Sequence, residues 1–92
     1  MSKFFTEKET EDFLEEETRK LMLPDGSEES VTTFNVVWGA FDSMEETNAF
    51  TNKQIINWTF DWYMKDQKYD FTTYFRNFVG FAFEHVKKQR YG

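Results

Sequence analysis

Large apolar side chains fall at nearly every helical turn of the chain after residue 50, whereas before residue 30 acids take most of their places. Residues 55–64, IINWTFDWYM, carry two patterns at once. Ile56, Trp58, Phe60, Trp62 and Met64 alternate with smaller or polar residues, as on a half-buried strand, yet Trp58 and Trp62 also stand one helical turn apart. The chemistry just upstream decides between them. Thr51 and Gln54 have the spacing of a capping box, and Phe50 and Ile55 that of the matching hydrophobic staple, so a helix is predicted over 52–67. On a helical wheel Ile55, Trp58 and Trp62 form one apolar edge, and Ile56, Phe60, Tyr63 and Met64 form another. A helix apolar round most of its circumference is central, or has a second face that something else covers.

Similar start chemistry opens the next segment. Asp70 can cap, Tyr69 can staple to Tyr74, and a helix over 71–90 presents Phe71, Tyr74, Phe75, Phe78, Val79, Phe81, Ala82 and Val86 on a broad apolar face. Gly80 within it costs about 1 kcal/mol against alanine, a cost expected to be offset by close approach of another backbone. The short link at DQKY predicts that these two helices form an antiparallel pair.

Upstream, Val31, Phe34, Val37, Trp38, Phe41 and Met44 share one face at 100° per residue, predicting a helix over 28–44. The β-branched residues in the same stretch make a strand at 32–40, and hence an α+β fold, the alternative. At the N-terminus, a Thr6–Glu9 capping box, acids in the first turns and a thin stripe of Phe13, Leu14 and Leu21 predict a helix over 7–22, ended by Pro24-Asp25-Gly26. The expected architecture is therefore an all-α bundle of about four helices. It forms one domain over 1–92, with an acidic helix (1–24) packed on an aromatic-rich core (28–92).

Composition explains how so short a chain builds a core. Of 92 residues 12 are Phe and only three are Leu (Leu14, Leu21, Leu23), and each buried aromatic removes on the order of 150–250 Å² from water. Cysteine is absent, which excludes a disulfide scaffold, a thiol nucleophile and a thiolate zinc site, and fits a cytoplasmic location. No apolar run is long enough to span a membrane, and the acidic N-terminus is unlike a secretory signal.

Charge is divided unevenly. The net charge is −6, but residues 1–50 carry 13 acids and 4 bases, a net of −9, while residues 51–92 carry 4 acids and 7 bases, a net of +3. A uniformly basic face for nucleic acid is missing, so direct binding to it is disfavoured.

Catalytic chemistry is sparse. His85 is the one histidine and falls on the apolar side of its helix; adjacent Glu84 points about 100° away and cannot share an ion with it. DGSEES lacks the ligand spacing of a calcium loop, and no glycine-rich loop follows a strand. No enzyme activity, cofactor or metal is expected.

Protein–protein recognition is the function class that remains. Glu9, Asp12, Glu15 and Glu16 would line an exposed acidic helix able to imitate DNA phosphates and steer the protein to a basic surface. Trp58 and Trp62 would supply an apolar anchor, to that target or to a second copy. Small acidic, cysteine-free inhibitors encoded by phages and mobile elements share this composition, and the leading expectation is an inhibitor that occupies a nucleic-acid-binding surface of its target. The second expectation is a homo-oligomer that buries its surplus aromatic faces, with Tyr63, Tyr74 and Arg76 lining a pocket for a small nucleotide-like ligand. Third comes a single-strand nucleic-acid binder, for which the plentiful aromatics would be stacking platforms.

Overall fold

Pro24-Asp25-Gly26 closes a β-hairpin and ends no helix. In the computed structural model, which describes residues 14–91, strand β1 (Glu16–Met22) pairs antiparallel with strand β2 (Glu28–Phe34), Arg19 standing opposite Val31. The Leu23 N–H donates to Ser27 O (2.8 Å) and the Gly26 N–H to Leu23 O (3.0 Å), with Gly26 at φ +89°. This is a three-residue loop whose last position needs the left-handed conformation that glycine adopts without strain. Asp25 braces it by accepting from the Ser27 N–H (3.0 Å) and hydroxyl (2.6 Å). Those bonds hold the Asp25 carboxyl below the usual carboxylate range, the hydroxyl contributing most.

The hairpin alternates as a sheet with one wet face should. Leu21, Val31 and Thr33 are buried, while Met22, Thr32 and Lys20 are exposed, and the Thr18 and Thr32 hydroxyls bond across the outer face at 2.7 Å. Three helices follow: α1 (Asn35–Glu46), α2 (Asn52–Asp66) and α3 (Phe71–Tyr91).

The fold is thus α+β, and the expected all-α four-helix bundle is overturned. The part of the expected 7–22 helix that falls on Glu16–Met22 is a strand, while residues 7–13 lie outside the described residues. The expected 28–44 helix divides at Phe34–Asn35 into strand and helix. The α+β alternative gives the right class, but its strand at 32–40 is displaced: only 32–34 fall in β2, which begins at Glu28, and the chain is helical from Asn35. Helical spacing from Val37 to Met44 also fits Val31 and Phe34, but a two-residue alternation governs the strand that ends at Phe34.

The two later helices start where local chemistry starts them. The Thr51 hydroxyl accepts from the Gln54 N–H (3.1 Å), and the Gln54 side chain accepts from the Thr51 N–H (2.9 Å), completing the capping box. Asp70 accepts from the Thr73 N–H (2.9 Å) and hydroxyl (2.7 Å), and Tyr69 lies against Tyr74 with ring centroids 6.0 Å apart. These bonds lower the Asp70 pKa, with the Thr73 hydroxyl the largest cause and the backbone N–H second. Gln67, in the left-handed region at φ 49°, ends α2 and turns the chain into α3.

The core lies where the inner face of the hairpin meets α1 and α3. Trp38, Phe41, Phe71 and Phe75 are buried there, with the Trp38, Phe41 and Phe75 rings in mutual contact at 5.1–5.8 Å between centroids. Trp38 also ties α1 to the hairpin, its Nε1–H donating to Glu17 O at 2.9 Å. Arg19 from β1 stacks over the Trp38 ring at 4.7 Å and grips both carboxylate oxygens of Asp42 at 3.0 and 3.1 Å. Gly80 departs from expectation: it is exposed, and a Cβ there meets nothing within 4 Å, so no close backbone approach explains it.

Candidate protein-binding groove

The α2–α3 pair buries one side of each helix and leaves the other open. Ile55, Ile56 and Thr59 of α2 are buried, the Thr59 hydroxyl donating to Ile55 O at 2.8 Å. Trp58 and Trp62 lie on the flank of that side and line a groove of about 650 Å³ between the helices. Its lining follows helix geometry on both walls. From α2 come Trp58, Asp61, Trp62 and Lys65, and from α3 come Phe78, Phe81, Ala82 and His85, each set at i, i+3, i+4 and i+7.

The rings form a connected series along the groove. Phe50 stands edge-on to Trp58 at 5.3 Å, Trp58 contacts Phe78 at 5.8 Å, and Trp62 contacts Phe78 at 6.3 Å and Phe81 at 6.4 Å. Enough surface stays open to matter: Phe81 is 68% exposed and Trp58 38%. Apolar side chains that open onto one concave strip mark a recognition surface more strongly than scattered exposed residues do. The Trp58/Trp62 edge is therefore half wall and half surface. Sequence reasoning placed Phe81 on the buried face of its helix and so missed it. The available signal was the matching spacing 58/61/62/65 and 78/81/82/85 on helices already expected to pair.

The other sequence-predicted residues do not converge. Tyr63 and Tyr74 meet edge-on at 5.9 Å, but Tyr74 is buried, its hydroxyl donating to Asp66 Oδ2 (2.8 Å) and accepting from the Lys68 N–H (3.2 Å). It closes the α2–α3 link. Burial first, and the bond to Asp66 second, push its pKa above the usual tyrosine value. Arg76 lies two residues on, about 200° round the helix. Its guanidinium stands 5.8 Å over the Phe34 ring, beside a separate groove of about 440 Å³ lined by Val36, Ala40 and Gly80. Arg76 thus lies on a different side of α3 from the Tyr63–Tyr74 pair.

Of the acidic set, Glu15 and Glu16 are exposed at the entry to β1, and Glu9 and Asp12 lie outside the described residues. Glu16 and Glu17 sit on opposite faces of the strand, so Glu15 and Glu16 form no row along a helix.

His85 is exposed at the end of the groove, its ring 6.4 Å from Phe50. Among the described residues, no three His, Asp or Glu side chains converge as a metal site requires, and no helix is long and apolar enough to cross a membrane. Comparisons with protein-family models, with curated proteins and with solved structures return no match.

Proposed function

We propose that this chain is a non-catalytic protein-binding module whose anchoring surface is the aromatic groove between α2 and α3. One observation carries the proposal: Phe81 and Trp58 remain exposed on a continuous strip of rings that the fold has already aligned. Aromatic side chains in a concave strip are the residues that dominate binding energy at interfaces, and a pair of helices lined at i, i+3, i+4 and i+7 is shaped to receive another helix.

The acidic half acts beside this anchor as a steering charge. A net of −9 over residues 1–50 attracts basic surfaces and repels nucleic acid, which suits an inhibitor of a nucleic-acid-handling protein. A cytoplasmic location fits a chain without cysteine.

Substitution of the anchor is the direct test. Phe81→Asp and Trp58→Asp, made separately, are expected to abolish every stable protein contact of the module, as read by cross-linking and co-purification. Undiminished contact in both variants would remove the groove from the proposal.

A further inference from the structure

Building on the proposed binding role of this face, we infer that the occupant of the α2–α3 groove is a second copy of the same chain, joined across a twofold axis. An interface on a twofold axis must be complementary to itself, since the same patch serves both partners. This patch has both halves of such a fit. Phe81 projects from the groove's edge, 68% exposed, beside a concavity of about 650 Å³ walled by Trp58, Trp62 and Phe78. Each copy offers the ring that the other's groove accepts.

Helix spacing supports the same arrangement. Both walls repeat at i, i+3, i+4 and i+7, the strip by which one helix packs on another. A second copy brings two such strips, already paired and antiparallel, so the contact becomes a four-helix layer.

Charge selects the copy over a foreign partner. Asp61 and Lys65 sit one turn apart on the groove wall, and among the described residues neither joins an ion pair. Their midpoint on α2 is residue 63. When two α2 helices cross antiparallel about that point, Asp61 of each copy faces Lys65 of the other. The two opposite charges make this patch neutral, so it offers no net charge to a strongly basic or acidic surface. It also belongs to the half of the chain that carries +3, where two copies of a net −6 protein meet with least repulsion.

Sedimentation equilibrium of the full chain, from low micromolar to a few hundred micromolar, tests this together with charge swaps. Wild type is expected to be a dimer over that range. Asp61→Lys or Lys65→Asp alone replaces two attractive pairs with two repulsive ones and is expected to raise the dimer Kd about tenfold or more. The double variant Asp61→Lys/Lys65→Asp restores attraction with the charges exchanged, and its Kd is expected to return to near the wild-type value. Circular dichroism melts establish that each variant is folded.

A wild-type chain that stays monomeric at the highest concentration overturns the inference. So does a double variant no tighter than either single one. If the monomer still contacts a different protein in a manner lost with Phe81→Asp, the groove remains a binding site and only the identity of its occupant is wrong. If it contacts nothing, both proposals fall.

Discussion

At the residue scale, Trp38 is the largest fully buried side chain among the described residues, and it joins the hairpin to α1 and α3. It is buried among Phe41 and Phe75, donates to the Glu17 carbonyl, and forms the platform on which Arg19 lies before reaching Asp42. Trp38→Phe keeps an aromatic ring but leaves a void and removes the donor, so urea unfolding is expected to show a loss of about 1–3 kcal/mol. A loss below a few tenths would mean the indole bond adds nothing to docking of the hairpin. Tyr74 gives a prediction in pH. Its folded pKa is raised, chiefly by burial, so the neutral phenol is favoured in the folded state. The associated stabilisation is complete below the unfolded tyrosine value of about 10 and is lost as pH rises through the folded pKa. Melting temperature should therefore fall across that alkaline window, and fall less steeply in Tyr74→Phe. Identical slopes for the two proteins would assign the alkaline loss to other groups.

At the element scale, what was legible in the sequence is what local chemistry determines. Helices α2 and α3 begin at side-chain caps within three residues of their backbone partners, so Thr51-x-x-Gln54 and Asp70-x-x-Thr73 could be read without knowledge of the rest of the chain. Thr51→Ala should accordingly cost about 1 kcal/mol in a thermal or denaturant melt. The hairpin is legible only in part: the β-branched run marks a strand, but its alternation is short and shares letters with a neighbouring helix. Val31 and Phe34 fit a helical face with Val37 and Trp38, and Pro24-Asp25-Gly26 can end a helix as well as close a hairpin. Pairing between β1 and β2, a relation across the chain, decided the matter. The candidate site divided the same way. Trp58 and Trp62 share a groove because they are one turn apart on one helix, whereas Tyr74 and Arg76, two residues apart, point to different sides of α3. Gly80 yields the sharpest element-level test. A Cβ there meets nothing, so Gly80→Ala is expected to stabilise α3 by about 1 kcal/mol, a rise of about 4–8 °C in melting temperature for a domain this small. No rise would mean that α3 exacts another cost at this position.

At the scale of the whole molecule, aromatic content is divided between two bodies with different duties. One is the core around Phe75, which is fully buried against Trp38 and Phe41 of α1; the other is the strip around Phe81, about 120° round the same helix. A domain of this length has a total stability of roughly 5–14 kcal/mol, and Phe→Ala in a close-packed core costs about 3–5 kcal/mol. Phe75→Ala is thus expected to leave the chain barely folded at room temperature, with its urea midpoint shifted far toward zero. Phe81→Ala removes a ring of which two-thirds already faces solvent, so its effect on unfolding should stay within about 0.5 kcal/mol when measured at a concentration low enough to keep the chain monomeric. The same substitution should abolish association at high concentration. Only a division of labour separates stability from association in this way. If all the rings formed one continuous core, Phe81→Ala would lower stability and association together, in proportion to the area lost. If the strip were inert surface, it would lower neither. A variant with wild-type unfolding at low concentration and no self-association at high concentration is the outcome that assigns the outer rings of α2 and α3 to a partner.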